Sequence, residues 1–295
     1  MKKLIIALLI ILFIISVFTG VYLIDKAFLP HNIDINQPVT NNQDNHQGFL
    51  ADDLENLITV GIYNSGYLYH ESHDHGINKD VVEELFRRMK LDYKIEILPR
   101  VRISSMISEG LLHMGVSTIE TPERAEYSYF VPYFSEKNDV LVRSDSGIST
   151  EEELLQRRDI KVGIVRGYYY GEHYMELIEK LEERKMIVQA RDTEHLYKML
   201  NDGWIQVTFN LASSYLFYID TYSIQGINIY DWAPEEEPLV RSLVFSKKFF
   251  SPDDITKFQQ TIDEMREDGT LYNIFSKYIP EDNAGRMCEQ FWCKD

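Results

Sequence analysis

The chain has 295 residues, 44% of them hydrophobic and 26% charged, with a formal net charge of −17. These are globular values, and the length allows two modest domains with a large combined core. So acidic a surface excludes nucleic acid as a partner, because phosphates require a basic face. Both cysteines, Cys288 and Cys293, lie near the end. The body therefore offers no thiol nucleophile and no cysteine-based structural zinc.

The N-terminus predicts a membrane segment. A basic start is followed by Leu4 to Ile24, a stretch without any charged residue. A secretory h-region is about 7–15 residues long, whereas a membrane-spanning helix needs roughly 20. Phe18-Thr19-Gly20 is a poor cleavage pattern. We therefore predict that residues 1–26 form an uncleaved anchor with the rest of the chain exported, and a cleaved signal peptide is the alternative.

Residues 27–52 differ in composition from the rest of the chain. They are crowded with Asn and Gln and contain Pro30 and Pro38. Such a segment cannot bury enough apolar surface to order itself. We interpret it as a polar linker between the membrane and a folded domain.

Two similar α/β units come next, each with strands that alternate with helices. In the first unit, helices over Lys79–Lys90 and around Ile103–Ile107 separate three strands. In the second, a helix follows a capping box at Ser149 and Glu152, another begins at Gly167, and a third ends at Gly203. This alternation predicts mostly parallel sheets. The predicted strands are 58–62, 93–97, 114–118, 139–143, 161–165, 186–190, 205–209 and 241–246.

Met114 to Phe134 is the most informative stretch. A short strand ends at Thr118, and Pro122 prevents its continuation because proline has no amide donor for a sheet ladder. Arg124 then stands just beyond the strand end. Ligands of open α/β sheets bind at the carboxyl ends of the strands. The sequence therefore places Arg124 where a ligand is expected.

Several short motifs, in this order, resemble the bacterial extracellular solute-binding proteins of family 3. They span roughly residues 58–279, and each is weak alone. They are Gly76-x-x-x-Asp80, Ser117-Thr118 with Thr121-Pro122-Glu123-Arg124, Tyr129-Phe130-x-Pro132-Tyr133, Val162-Gly163-Ile164-Val165-x-Gly167 and Asp268-Gly269-Thr270-Leu271 with Phe275-x-x-Tyr278.

The resemblance implies a two-lobed type II periplasmic-binding-protein fold joined by two crossover strands, with a ligand in the cleft between the lobes. It places crossings near Leu141-Val142 and Ser242-Leu243. Residues 53–141 and 243–280 would form lobe 1, residues 142–242 lobe 2, and residues 281–295 a tail. It also implies a binding protein without chemistry or cofactor, which closes on a small molecule and is read by a membrane permease or receptor.

By the same resemblance, Arg124 clamps a ligand carboxylate with its bidentate fork, aided by Ser117 and Thr118. The alternative is a structural salt bridge from Arg124 to a nearby glutamate. Arg100 is expected to contact the ligand, and one of Tyr63, Tyr67 and Tyr69 to pack over it, with Tyr67 the best fit by spacing.

In lobe 2, Tyr168 and Tyr169 replace the small hydroxyl residue common in relatives, and are expected to narrow the cleft or stack on the ligand. Amino-acid binders usually carry an Asp after the last strand to pair the ligand's ammonium, but Leu211 stands there, beside Asn210. Since buried charges need partners, we predict a carboxylate or other anion as the ligand.

His70, His73 and His75 have a metal-like spacing, but we interpret them as a solvated turn and predict no metal site. Cys288 and Cys293 are predicted to form a disulfide, because an exported protein meets an oxidising environment.

Two alternatives to a transport role remain. One is an enzyme on the same fold that resembles cyclohexadienyl dehydratase, with Glu120 as its general acid. The other is a ligand-sensing subunit.

Overall fold

The computed structural model describes residues 57–292, with the side chains of residues 57–289. The predicted anchor, the polar linker and Cys293 lie outside this range. Within it, no helix combines the length and the apolar character that crossing a bilayer requires.

The first of two five-stranded sheets has the order β2-β1-β3-β10-β4. We call this sheet and its helices lobe 1. Its strands are β1 (Ile58–Ile62), β2 (Tyr93–Ile97), β3 (Met114–Thr118), β4 (Ser128–Glu136) and β10 (Leu239–Ser246).

The second sheet has the equivalent order, β7-β6-β8-β5-β9, and with its helices forms lobe 2. Its strands are β5 (Asn138–Arg143), β6 (Val162–Val165), β7 (Ile187–Ala190), β8 (Val207–Leu211) and β9 (Ile227–Tyr230).

In each sheet, three adjacent strands are parallel to one another, and the two remaining strand pairings are antiparallel. β10 runs antiparallel to both β3 and β4, and β5 runs antiparallel to both β8 and β9. Four strands of each sheet therefore point the same way, as the alternation of strands and helices predicts. Because β10 is reversed, its first residues lie at the edge where the parallel strands end.

Ten helices flank the sheets in the described part of the chain. They are α1 (Ile77–Met89), α2 (Arg100–Glu109), α3 (Pro122–Tyr127), α4 (Glu151–Gln156), α5 (Glu172–Glu183), α6 (Thr193–Asn201), α7 (Ala212–Thr221), α8 (Pro252–Glu267), α9 (Thr270–Phe275) and α10 (Glu281–Trp292).

The chain passes between the two sheets twice. Lys137 alone separates β4 from β5, and residues 231–238 separate β9 from β10. The predicted crossing points, near Leu141-Val142 and Ser242-Leu243, lie inside β5 and β10. The observed crossings differ from the predicted points because both strands extend further toward the hinge than their apolar patterns alone suggest.

Each lobe has an aromatic-rich core of its own. In lobe 1, Phe86 of α1 stacks on Tyr93 and meets Phe258 of α8, which also packs on Phe245. In lobe 2, Phe209 packs against Tyr174 of α5. All of these except Tyr93 are fully buried, and truncating such an aromatic side chain to Ala typically costs about 3–5 kcal/mol.

Three predicted local features are corrected. The capping box of α4 is formed by Thr150 and Glu153 rather than Ser149 and Glu152. Helix α5 begins at Glu172, not at Gly167, because Gly167 and Gly171 both adopt positive φ and keep residues 166–171 as a loop. The segment from Glu281 to Trp292 is a helix, not a loose tail, and Cys288 is buried on it against lobe 1.

Candidate functional site

A small cavity lies between the lobes, at the carboxyl ends of the parallel strands. Its volume is about 20 Å³, and both lobes contribute to its walls. The lining residues are Tyr63, Ser65, Leu68, Arg100, Asn138, Tyr168, Tyr169, Tyr170, Asn210, Leu211 and Arg241.

The fold explains why these side chains meet. Tyr63 follows β1, Arg100 comes shortly after β2, Tyr168 lies in the loop after β6, and Asn210 is near the end of β8. The carboxyl ends of parallel strands lie at one edge of a sheet, and the two edges face each other across the cleft. Arg241 joins them from the start of the reversed strand β10.

Arg241 is a buried cation without an anionic partner. Its side chain is 5% exposed. Within residues 57–289, no carboxylate forms an ion pair with it, and its Nε has no hydrogen-bond partner. Burial and the neighbouring Arg100 lower the pKa of the Arg241 guanidinium. Burying a charge in this way is costly, so the strand holds Arg241 there against a considerable desolvation penalty.

Arg100 lies between two tyrosine rings that belong to different lobes. Its guanidinium carbon is 5.7 Å from the ring centroid of Tyr63 and 5.4 Å from that of Tyr168. Both distances are within the range of a cation–π interaction. The tyrosine hydroxyls are held in place, by the Ser117 carbonyl for Tyr63 and by the Thr193 hydroxyl for Tyr168. Arg100 thus connects the lobes across the cavity.

The cavity contains no acidic side chain among the residues that line it. Leu211 occupies the place where amino-acid binders are expected to carry an Asp. Asn210 lies beside it. Its Oδ1 accepts from the Leu211 amide at 2.9 Å, while its buried Nδ2 has no hydrogen-bond partner among the described residues. The walls therefore offer donors and cations but no carboxylate.

Glu136 is the buried acid nearest to this site, and its hydrogen bonds bind the two lobes together. It ends β4 of lobe 1 and accepts from the backbone amide and the hydroxyl of Ser213, at 3.0 Å and 2.7 Å. Ser213 lies in the first turn of α7 in lobe 2. Burial raises the pKa of the Glu136 carboxyl.

The lobes also meet through an aromatic contact outside the cavity. Phe217 of α7 stacks on His70 of lobe 1, with ring centroids 4.7 Å apart, and meets the edge of Tyr67 at 5.3 Å. Nearby, a Cβ added to Gly66 would lie 2.8 Å from the Ser213 carbonyl oxygen. Only glycine fits at such a close approach of two backbones, so this contact brings the lobes together at Gly66.

Half of the predicted ligand contacts line the cavity. They are Tyr63, Arg100, Tyr168, Tyr169 and Asn210. Tyr168 and Tyr169 reach it from the loop before α5, not from a helix N-terminus. Tyr169 remains 47% exposed.

The other five predicted contacts are not among the lining residues. Ser117 is buried in lobe 1, where its hydroxyl donates to Asn78 Oδ1 at 3.0 Å and meets the Tyr133 hydroxyl at 2.9 Å. The Thr118 hydroxyl donates to the carbonyl of Val116. Tyr67 lies at the Phe217 contact, and Tyr69 is buried and donates to Asp74.

Arg124 lies in the first turn of α3, half-buried. Its Nη1 donates to the carbonyl of Ile119 at 2.8 Å, and its amide donates to the Thr121 hydroxyl. No ion pair joins it to Glu120, Glu123 or Glu126 within the described residues, and Glu120 is exposed. Neither the clamp role nor the salt-bridge alternative is decided by these contacts.

The histidines are part of the lobe contact. His70 stacks on Phe217, and burial lowers the pKa of its imidazole, with a smaller contribution from His73. In the part of the chain that the structure describes, no three or more His, Cys, Asp or Glu side chains are arranged to hold a metal ion. Residues 71–75 are exposed, as a solvated turn predicts, and His70 is half-buried against Phe217.

Arg241 and Phe217 were not predicted as site residues. A signal for Arg241 exists in the sequence, because it is the only charged residue in the largely apolar Pro238-Leu-Val-Arg-Ser-Leu-Val-Phe245. A cation inside such a strand is expensive to bury and calls for a partner.

Two lobes, two crossings and a polar cleft at the strand ends define a class of proteins that bind small solutes between lobes. The profile of the bacterial extracellular solute-binding proteins, family 3, matches residues 58–281. The chain therefore belongs to this family, and both the family and the two-lobed fold predicted from the sequence are confirmed. No curated protein sequence matches the chain.

Solved structures share the fold at low sequence identity. The arginine-, lysine-, histidine-binding protein ArtJ of Geobacillus stearothermophilus is 15% identical, with a TM-score of 0.63 over 76% of this chain and 95% of its own. The GluR0 ligand-binding core of Nostoc punctiforme, in complex with L-glutamate, is 17% identical, with a TM-score of 0.60 over 75% and 98%. A histidine kinase sensor domain is 14% identical, with a TM-score of 0.62 over 76% and 96%.

Proposed function

We propose that this protein is an exported, membrane-tethered solute-binding protein that captures a small anionic ligand in the cleft between its lobes. One observation carries the proposal. Two guanidinium groups, those of Arg100 and Arg241, line the cavity together, and none of the described carboxylates lines it with them. Such a cavity attracts an anion and repels a free cation.

Closure of the lobes around the ligand is the proposed mechanism. The contacts that join the lobes are few and separable: the Arg100–Tyr168 pair, the Phe217 cluster and the Glu136–Ser213 hydrogen bonds. Each pair has one partner on each lobe, so opening breaks the first two while the third lies at the hinge. A cavity of about 20 Å³ must widen before a ligand can enter.

Delivery to an ABC-type permease is the proposed purpose of capture. Family membership supports a transport role, and the anchor predicted at residues 4–24 would keep the protein on the outer face of the membrane. The fold shared with a histidine kinase sensor domain supports the alternative, a sensing subunit. Uptake of labelled ligand into cells that lack this gene separates the two roles, because a sensor is not needed for uptake itself.

A thermal-shift screen of the full chain in detergent tests the binding role. Carboxylates, amino acids and short peptides are added singly, and a ligand at 100 times its dissociation constant should add about 2.7 kcal/mol of stability. Small-angle scattering of the same samples should show a smaller radius of gyration with the ligand. The absence of any shift across the panel would contradict the proposal.

Arg124, Ser117 and Thr118 stay predicted contacts on the strength of the family resemblance. The Arg124→Ala variant tests the clamp directly. Loss of the thermal shift, with the unliganded midpoint unchanged, supports it. An unchanged shift contradicts it and leaves the proposed function intact.

A further inference from the structure

We propose that Arg241 is the anchor for the ligand's negative charge, and that the ligand is an organic acid without an ammonium group. This inference rests on the proposed function, because it names the residue and the ligand class for the same cleft. It assigns a role to a residue on β10 that sequence patterns leave unassigned.

Arg241 is costly to bury without a bound anion. The side chain is 5% exposed, and its Nε is left without a hydrogen bond. Arginine is almost never fully buried without a partner. A side chain that is nine-tenths buried, charged and aimed into a cavity is stabilised when an anion enters and supplies the missing acceptors.

The polar neighbours of Arg241 exclude a purely structural role for its guanidinium. The nearest buried acid, Glu136, uses its two oxygens to accept from Ser213. The Tyr133 hydroxyl, another polar neighbour, donates to Asn78. These neighbours act on Arg241 only through longer-range electrostatics. No described residue therefore gives the Arg241 guanidinium the paired negative charge that a bound anion would give it.

The remaining walls of the cavity also favour an anion. Besides Arg241, Arg100 and Asn210 line the cavity, and the buried Nδ2 of Asn210 also lacks a hydrogen bond within the described residues. These groups are donors, so the complementary ligand is rich in acceptors. Leu211 and Leu68 add apolar surface on either side of the cleft.

The charges around the cavity disfavour an ammonium group on the ligand. No Asp or Glu lines the cavity, and Arg100 and Arg241 already place two cations there. An α-amino acid would bring its ammonium into this field without a counter-ion, which is strongly unfavourable in a buried site. A 2-oxo acid of the same skeleton keeps the carboxylate and removes that penalty.

The experiment uses two matched pairs of probes on the full chain in detergent, with dissociation constants from calorimetry. The pairs are 2-oxoglutarate with L-glutamate, and phenylpyruvate with L-phenylalanine. We expect at least one oxo acid to bind about 10-fold or more tighter than its amino-acid counterpart, and Arg241→Gln to weaken its binding about 30-fold or more. Arg241→Lys, which keeps the charge without the fork, should fall between the two.

Arg124→Gln is the competing variant, since it removes the arginine that the family resemblance nominates as the clamp. We expect Arg241→Gln to weaken binding at least about 10-fold more than Arg124→Gln does. Unliganded thermal midpoints show whether each variant is folded. If Arg241→Gln fails to fold, Arg241→Lys and the probe pairs still decide the question.

Three results would overturn the inference. One is an amino acid that binds as tightly as its oxo acid. Another is an Arg124→Gln variant that loses more affinity than either Arg241 variant. The third is a panel in which amino acids or peptides bind and neither oxo acid does, which leaves the proposed function standing. A panel with no binding at all contradicts both.

Discussion

Arg241 and Glu136 are two buried charged side chains at the same hinge, and the protein treats them in opposite ways. They lie on paired strands, where Arg241 is opposite Phe134 and Glu136 is opposite Leu239. Glu136 accepts two hydrogen bonds from Ser213, whereas Arg241 has no anionic partner among residues 57–289. The protein supplies hydrogen-bond partners for the Glu136 carboxyl group, and it supplies no anionic partner for the Arg241 guanidinium within the described residues.

This difference separates a structural charge from one held for a ligand. A buried charge whose hydrogen bonds are made within the protein stabilises the structure of the hinge. A buried charge without them raises the free energy of the folded protein, and such costs are typical of binding sites. Substitutions at the two positions should therefore change the stability of the unliganded protein in opposite directions.

The largest expected effect comes from removing the acid. Glu136→Ala leaves the Ser213 amide and hydroxyl buried without an acceptor. We expect the free energy of unfolding to fall by about 2–4 kcal/mol, measured by urea denaturation. Glu182→Ala, at an exposed site on α5, is the control and should change it by less than about 0.5 kcal/mol. Equal losses would contradict the structural role of Glu136.

The next effect has the opposite sign. Arg241→Met removes an unpaired guanidinium and keeps a flexible, unbranched side chain that can fill the same space. We expect the unliganded protein to gain about 1–2 kcal/mol of stability in the same urea assay, because the desolvation penalty disappears. A loss of more than about 1 kcal/mol would mean that Arg241 stabilises the hinge itself, and the contrast with Glu136 would be wrong.

A smaller effect concerns pH. Burial raises the pKa of Glu136, so the folded protein still holds this proton at pH values where the unfolded chain, with a glutamate pKa of about 4.3, has released it. The free energy of unfolding contributed by this group therefore falls as pH rises from about 4.3 through the raised value. Glu136→Gln cannot ionise and removes that slope.

Urea denaturation of both proteins across this range measures the difference. We expect the wild type to lose more stability than Glu136→Gln as pH rises above about 4.3, the glutamate pKa of the unfolded chain. All other titrating groups are shared, so they cancel in the comparison. Two parallel profiles would show that Glu136 stays ionised throughout.

Much of the fold was predictable because its signals are local and periodic. The strands from Ile58 to Thr118 were predicted with the bounds that the structure shows, since short apolar runs ended by turn residues leave little freedom. Two overlapping capping patterns, Ser149-x-x-Glu152 and Thr150-x-x-Glu153, were locally equivalent. Burial of Leu154 selects the second, and that is a tertiary effect.

The site was only half predictable, for a related reason. The family resemblance nominated Tyr63, Arg100 and Tyr168, and topology agrees, because loops after parallel strands reach the cleft. Arg241 was not predicted, because a charged residue in a strand has no visible partner or direction in the sequence. Helix α7 was missed as well, since Ala212-Ser-Ser-Tyr-Leu-Phe217 lacks a capping side chain and a clear polar face.

The smallest expected effect comes from a paired acid at the surface, which is compared with Glu136 at the hinge. Glu84 of α1 accepts from Arg87 and Arg88, and its side chain is 21% exposed. The hydrogen bond from Arg87 is the main cause that lowers the pKa of Glu84 to about 2. Because this pKa is depressed, the ion pairs stabilise the protein above the ordinary carboxyl pKa, and that stability is lost as pH falls toward 2.

Glu84→Gln should therefore cost about 0.5–1 kcal/mol at neutral pH, since partly exposed pairs are screened by solvent, and the cost should disappear in acid. Urea denaturation at both pH values measures it. This pH dependence is opposite in sign to that of Glu136, although both residues are hydrogen-bonded glutamates. The ionised form of Glu84 is stabilised by its arginines more than it is destabilised by desolvation. The ionised form of Glu136 is destabilised by burial more than it is stabilised by Ser213 and the distant Arg241. A cost at Glu84 as large as that of Glu136→Ala would mean that pairing, not burial, sets the energetics at both places.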